Sequence, residues 1–269
     1  MAIFGTCLAE SELNPMEHVV SHELFSMTVF GKSLPFTNHM LMISIASLLL
    51  MIALPLVVRR RQLIPHGFYN IIETICVFIR EDVARPFLKY QTDQYVPYLW
   101  SIFFFILSLN LLGMVPLNAV FGIIMGEQNH WGGAATANLY ITGALATFAF
   151  LLFHLAGIHE KGFVKYFATL SPKVPWPMMP FMFLMELISS FVRLFSLAIR
   201  LFANILAGHI LLSVLLGFIL IFRNYMVVVA SIGSATAMSL LEIFVAFLQA
   251  YIFTFLTTIF IGFAISEDH

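Results

Sequence analysis

Charged residues are scarce in this sequence. Asp, Glu, Lys and Arg make up 10% of its 269 residues, whereas hydrophobic residues make up 61%. A soluble domain is about 25% charged and about 45–50% apolar. A single soluble core cannot bury so much apolar surface, so the composition indicates a membrane protein. The formal net charge is −1, and without a basic face we expect no nucleic acid among the partners.

The sequence also has only two cysteines and lacks a complete nucleotide-binding motif. Cys7 and Cys76 are far apart and lack the spacing of metal ligands, so we interpret both as ordinary small residues and not as a disulfide. The Gly-Lys-Ser tripeptide at 31–33 resembles the end of a phosphate-binding loop, but Ser26 occupies a position where that motif requires Gly. Any nucleotide must therefore bind another protein, and we expect no cofactor.

The N-terminal segment is polar and has neither a basic n-region nor an apolar h-region, so we expect no cleavable signal peptide. His18 and His22 are four residues apart with Glu23 beside them, a spacing that a zinc site could use. Because the segment is polar and terminal, we favour the interpretation without a metal.

Long apolar runs are the dominant feature of the rest of the chain. A membrane-spanning helix needs about 20 mostly apolar residues. The sequence offers five such runs, at about residues 40–58, 96–117, 139–158, 181–222 and 226–265. The last two have roughly 40 residues, or about 60 Å of helix, whereas the hydrocarbon layer is only about 30 Å thick. We therefore predict that both are strongly tilted, and the short link at 223–225 predicts an antiparallel hairpin.

A segment at about residues 68–89 mixes apolar and charged side chains and predicts an amphipathic helix on the membrane surface. The predicted fold class is an all-α membrane protein with about five membrane-embedded helices plus this surface helix. Residues 1–38 are predicted to be an N-terminal extramembrane segment, and residues 39–269 a single membrane domain.

Basic residues predict the orientation, because they are enriched in cytoplasmic loops. With Arg59–Arg61 in the cytoplasm, the same side receives Arg80, Arg85, Lys89, Lys161, Lys165 and Lys173, and the other side receives only Lys32 and Arg223. Five spans then place the N-terminus outside and the C-terminus inside.

Ionisable residues within the long hairpin are the candidate functional residues, because charges inside a membrane are costly. They are Glu186, Arg193, Arg200, His209 and Glu242. Each has a structural alternative that the residues alone leave open. Glu186 and Arg193 could be an ion pair that holds helices together, Arg200 could reach an interface, and His209 could be a hydrogen-bonded core residue. Gln249, on the same face as Glu242, could join two helices.

Four stretches resemble a known family, subunit a of F-type ATP synthases. They are Ser196-Leu-Ala-Ile-Arg200-Leu-Phe-Ala-Asn204-Ile-Leu-Ala-Gly208-His209, Glu242-Ile-Phe-Val-Ala-Phe-Leu-Gln249-Ala-Tyr-Ile-Phe253, Asn110-Leu-Leu-Gly-Met-Val-Pro116 and Thr136-Ala-Asn138. The C-terminal Ser-Glu-Asp-His is similar to bacterial members. The resemblance covers about Arg59 to His269, whereas the N-terminal segment is unspecific.

The resemblance implies a non-catalytic stator subunit of a proton channel. Arg200 matches the arginine that faces the rotating c-ring, and His209 with Glu242 matches a polar pair in the half-channel open to the outside. Glu186 matches a carboxylate near the inner exit, and Asn204 and Gln249 match polar neighbours of the arginine. Many bacterial relatives carry the histidine and the acid in the opposite order, whereas other bacterial and mitochondrial members share the order seen here.

The implied partners are the c-ring, b-type peripheral stalk subunits, protons and membrane lipids. The implied location is the bacterial inner membrane, with the mitochondrial inner membrane as the alternative. A secondary transporter and a membrane scaffold are the rival classes. Internal repeats, which many transporters have, are missing from the sequence, and the intramembrane charges argue against a scaffold. The choice between H⁺ and Na⁺ stays open, because the ring would supply the ion-binding carboxylate.

Overall fold

The computed structural model describes residues 23–29, 32–58, 67–115, 135–163, 166, 176–222 and 224–265. Two strands come first, β1 (Glu23–Val29) and β2 (Lys32–Thr37), followed by α1 (Asn38–Val58), α2 (Phe68–Phe78), a π-helical turn (Ile79–Ala84) and α3 (Arg85–Leu88). After a 3₁₀ turn at Lys89–Gln91 come α4 (Thr92–Met114), α5 (Leu139–Lys161), α6 (Met179–Phe222) and α7 (Tyr225–Ile265). Two further 3₁₀ turns, Ala135–Ala137 and Trp176–Met178, precede α5 and α6.

Long apolar helices identify a multi-pass membrane protein. Within the described residues, four helical runs are long and apolar enough to cross a bilayer: Asn38–Leu56, Tyr69–Met114, Met179–Phe222 and Tyr225–Phe263. A shorter apolar stretch, Leu139–Leu151, lies in α5. The predicted all-α membrane class is therefore confirmed. The helix count differs, because the predicted surface helix and the second span join in one 46-residue run, Tyr69–Met114.

The segment from α2 to α3 has one apolar and one charged side. Ile79, Val83, Ala84 and Leu88 are buried, whereas the charged residues form partly exposed ion pairs. Arg80 Nη2 lies 2.6 Å from Asp93 Oδ1, and Arg85 pairs with Glu81. Exposed pairs of this kind contribute little stability, about 0–1 kcal/mol, so the apolar side is what fixes the segment.

The π-helical turn lies just before Pro86. The Arg85 N–H donates to the Arg80 carbonyl oxygen, five residues back. Proline has no N–H, and its ring clashes with the carbonyl four residues earlier in a regular α-helix. The wider turn accommodates Pro86, and Lys89, with φ 49°, then ends α3.

A two-stranded antiparallel hairpin precedes α1 and lies in the predicted N-terminal extramembrane segment. Val29 pairs with Lys32 at its closed end, and Phe25 pairs with Phe36. The sequence interpretation did not include these strands. The signal for them is two short runs of apolar, aromatic and hydroxyl residues separated by two residues.

Two compact units are formed by the described residues. One contains parts of Met1–Leu50, Ile106–Ile141 and Arg200–Gln249, and its core includes Met42, Leu109 and Ile205. The other contains parts of Met51–Phe105, Thr142–Ile199 and Ala250–His269, and its core includes Ile79, Leu99, Phe103 and Phe253. We call them the first unit and the second unit.

In the second unit, the segment from α2 to α3 packs against the C-terminal part of α7. Phe78 lies 5.8 Å from Tyr251 and Phe87 lies 5.8 Å from Phe255, measured between ring centroids. A Cβ added to Gly262 would lie 3.1 Å from the Phe87 carbonyl oxygen. A small residue at position 262 therefore permits this close approach.

Candidate functional site

Arg200 lies within α6 on an exposed part of the helix surface. In the part of the chain that the structure describes, no acidic side chain pairs with it, and the ion pair of α6 involves Arg193 instead. An arginine stays protonated in proteins. Arg200 is therefore a permanent cation on an apolar helix, and no described residue of its own chain supplies an anion to pair with it.

The part of α6 that precedes Arg200 has an extensive exposed apolar surface. Large side chains between the start of α6 and Arg200 are more than a third exposed, and these include Leu184, Ile188, Phe191, Val192, Phe195 and Ile199. In a membrane helix such side chains face lipid or another protein. The guanidinium thus lies on a helix whose apolar surface can receive a further membrane helix.

Glu242 is a buried carboxyl group in the first unit. It is 5% exposed, and neither carboxyl oxygen has a hydrogen-bond partner among the described residues. A Cβ added to Gly208 would lie 2.8 Å from the Glu242 carboxyl carbon. The carboxyl group therefore lies directly against the α6 backbone, and the two helices of the predicted hairpin are neighbours here.

His209 follows Gly208 directly on α6 and is half-buried. Consecutive Cα atoms are about 3.8 Å apart, so the backbone of His209 adjoins the place where Glu242 meets α6. The structure thus brings the predicted histidine and acid to the same part of the first unit. A buried carboxyl group and an imidazole in one apolar region can hold and exchange a proton.

Asn204 and Gln249 provide amide groups in the same unit. Asn204 lies one helical turn from both Arg200 and Gly208 and is half-buried. Gln249 is 2% exposed, and its Nε2 has no hydrogen-bond partner among the described residues. It lies two turns after Glu242, so both project from the buried side of α7.

Glu186 and Arg193 form an ion pair in the second unit. Arg193 Nη1 lies 3.4 Å from Glu186 Oε1, and its guanidinium lies 5.2 Å from the centroid of the Phe260 ring. Both charged side chains are about 40% exposed, at 42% and 38%. The structure therefore contains the ion pair that is the structural alternative for Glu186 and Arg193. The predicted role of Glu186 in proton transfer stays a prediction.

The first unit contains two further buried polar residues, which in the sequence belong only to the stretches that resemble the family. Asn110 and Thr136 are each 0% exposed, and their side-chain polar atoms have no hydrogen-bond partner within the described residues. Buried polar groups are normally satisfied by protein or by ordered water. The sequence signal for Asn110 is a lone amide in an apolar run.

The described residues do not form a candidate metal site. Among them, three or more His, Cys, Asp or Glu side chains do not come together in any group that could hold a metal ion. His18 and His22, the candidate zinc pair of the sequence, lie outside the described residues.

The chain is similar over most of its length to proteins of one family. A family model described as "ATP synthase A chain" matches residues 40–262. The "ATP synthase subunit a" of Anaeromyxobacter sp. (strain Fw109-5) is 39% identical over 265 residues, covering 97% of this chain and 62% of the relative. The same-named protein of Myxococcus xanthus is 39% identical, covering 90% and 80%, and that of Chloroherpeton thalassium is 35% identical, covering 96% and 78%.

The chain is shorter than these relatives. It spans 62% and 63% of the first two Anaeromyxobacter proteins.

Proposed function

The chain belongs to the ATP synthase A chain family, and from that membership we propose that it is the stator subunit of the proton channel in a rotary ATP synthase. In this proposal it is not itself an enzyme. It provides two offset half-channels and the arginine that couples proton movement to rotation of a c-ring.

The observation that supports the proposal most is the exposed position of Arg200. This residue is exposed on an apolar membrane helix and lacks an acidic partner among the described residues of its own chain. A carboxylate on the ring would supply the missing anion. The cation lowers the pKa of a nearby carboxyl group and so favours its release of a proton. Because an arginine keeps its own proton, it cannot conduct protons across the site.

The half-channel open to the outside would use His209 and Glu242. Glu242 is buried against Gly208, and His209 is the next residue. Water is the partner expected for the buried polar atoms of Glu242, Gln249 and Asn110, because such groups need hydrogen bonds. A proton would pass along these groups to a ring carboxylate, and Asn204 would line the approach to Arg200.

The inner half-channel would use Glu186. The Glu186 side chain is 38% exposed and pairs with Arg193, so the proposal requires water from the inner side to reach this carboxyl group. After nearly a full turn of the ring, the proton would leave past Glu186. Each unit charge that crosses gains about 2.3 kcal/mol per 100 mV of membrane potential, and rotation would transmit that energy to a separate catalytic head.

The proposed location is the bacterial inner membrane, with the N-terminus outside and the C-terminus in the cytoplasm. The support is the unequal distribution of basic residues, including Arg59–Arg61 at the end of the first apolar run. The proposed partners are the c-ring and b-type peripheral stalk subunits.

Purification of the tagged chain in mild detergent tests the proposal. We expect it to bring down an oligomeric ring of small two-helix subunits together with stalk subunits. Purification of the chain alone, from membranes in which it is abundant, would contradict the stator role. Ring-dependent ion flux in vesicles at varied Na⁺ concentration then identifies the ion, and flux independent of Na⁺ is the result expected for protons.

A further inference from the structure

A buried tyrosine and a histidine form a hydrogen-bonded pair in the second unit. Tyr166 is 2% exposed, and its phenol oxygen lies 2.7 Å from His154 Nδ1. The two rings meet edge to face at 5.8 Å, and the ring of Phe150 packs against the imidazole at 4.3 Å. Apolar packing and a short hydrogen bond therefore both fix the positions of these rings.

The chain reaches this position through a left-handed turn at the end of α5. Gly162 has φ 77°, a conformation that residues with side chains rarely adopt. Its N–H donates to the Ile158 carbonyl oxygen at 2.8 Å, and its own carbonyl oxygen accepts from the Tyr166 N–H at 2.9 Å. The turn directs Tyr166 back towards His154, 12 residues earlier in the sequence.

Glu186 belongs to the same compact unit as this pair and acts electrostatically on Tyr166. Burial is the main cause that raises the pKa of Tyr166 to about 12, and the negative charge of Glu186 contributes to the same shift. The phenol consequently keeps its O–H at physiological pH, and Glu186 is close enough to act on it electrostatically. Glu186, Tyr166 and His154 are three groups that can exchange protons, and all three belong to the second unit.

We propose that Tyr166 and His154 continue the inner half-channel beyond Glu186 as a proton relay. This proposal rests on the proposed function, since it needs a proton to arrive at Glu186. The phenol oxygen receives a proton from the Glu186 carboxyl group, directly or through water, while the phenol O–H proton passes to His154 Nδ1. The resulting imidazolium releases its Nε2 proton to water. Every bond that breaks is matched by one that forms, and Glu186 is left as a carboxylate.

His154 is half-buried, so the last step requires water from the cytoplasmic side to reach its Nε2. His154 lies in the last third of α5, and basic residues at the end of that helix predict a cytoplasmic location. The rival explanation is a purely structural clamp, in which the hydrogen bond only fastens the chain after α5. The two explanations differ in whether His154 must carry a proton.

Two substitutions separate these explanations in membrane vesicles that contain the complete complex. Tyr166→Phe keeps the ring and removes the hydroxyl group. His154→Gln keeps a hydrogen-bond acceptor for the phenol but removes the group that can take up and release a proton. We expect each to lower ATP-driven proton pumping about tenfold, a cautious value for a lost proton-transfer step. Blots should show normal amounts of assembled complex.

A matched control is Tyr140→Phe, which makes the same chemical change at a side chain that is 89% exposed; it should leave pumping unchanged.

Glu186→Gln provides a further criterion. If the three groups act in series, adding Tyr166→Phe to Glu186→Gln should cause no further loss.

Pumping by His154→Gln within twofold of the unmodified complex would overturn the relay and leave the clamp. The relay would also be overturned if the double variant lost as much pumping as the product of the Glu186→Gln and Tyr166→Phe losses. Arg200→Ala in the same vesicles distinguishes a failure of the relay from a failure of the proposed function. If Arg200→Ala stops coupled pumping while Tyr166→Phe and His154→Gln do not slow it, only the relay fails. If Arg200→Ala has no effect, the proposed function itself fails.

Discussion

Gly208 is the residue at which α6 leaves room for the Glu242 carboxyl group. A Cβ at this position would lie 2.8 Å from the carboxyl carbon, closer than real contacts allow. Glycine inside a helix costs about 1 kcal/mol relative to alanine, so its presence here is explained by the space it leaves. The position of Glu242 depends on this missing side chain.

Gly208→Ala should therefore displace Glu242 and slow proton movement through the proposed half-channel open to the outside. We expect coupled ATP synthesis in vesicles to fall at least fivefold, with some loss of assembled complex. Gly233→Ala is the matched control, because it lies in the same hairpin and its added Cβ would meet nothing within 4 Å. Equal, near-normal synthesis in both variants would show that the close approach to Glu242 is unimportant.

His209 and Glu242 are predicted to act as one proton-handling pair. His209→Glu leaves two carboxyl groups and Glu242→His leaves two imidazoles, and in both cases like groups oppose each other's charged forms. Each single change should slow pumping. The double exchange restores one acid and one imidazole, so it should recover more proton flux than the worse single variant.

The measurement is ATP-driven proton pumping in inverted vesicles, with assembly checked by blot. A double exchange as inactive as the product of the two single losses would mean that the residues are independent. His209 would then be a hydrogen-bonded core histidine, the structural alternative that the sequence left open.

At the scale of elements, the lengths of α6 and α7 are the strongest constraint. They contain 44 and 41 residues, or about 60–66 Å of helix, against a hydrocarbon layer of about 30 Å. We predict that both lie strongly oblique to the membrane normal in the assembled complex. An experimental structure of the complex in lipid would measure the angle, and two upright helices would refute the prediction.

The helical elements were largely predictable because their physical signal is strong and local. Apolar runs longer than a bilayer needs indicated α6 and α7, and the two-residue gap from Phe222 to Tyr225 matches the predicted short link. Elements that depend on weaker signals were missed. The hairpin Glu23–Thr37 rests on two short strands, and the π-helical turn before Pro86 is a local adjustment that periodicity cannot reveal.

For the whole molecule, the sequence indicated candidate residues, whereas their surroundings became visible only in the structure. Arg200, His209 and Glu242 stood out because charges are rare and costly in apolar helices. The contact between Gly208 and Glu242 and the pairing of His154 with Tyr166 arise from the folded arrangement. Neither motif spacing nor composition contains that information.

Arg200 is proposed to couple proton movement to a partner outside this chain. The most direct measurement is proton-driven ATP synthesis in vesicles carrying Arg200→Ala or Arg200→Lys, with assembly verified and Arg85→Ala as a control at an exposed surface ion pair. Arg200→Ala should abolish synthesis, and Arg200→Lys should largely fail because lysine can lose its proton when desolvated and lacks the planar guanidinium. Arg85→Ala should retain synthesis. Near-normal synthesis with Arg200→Ala would contradict the account.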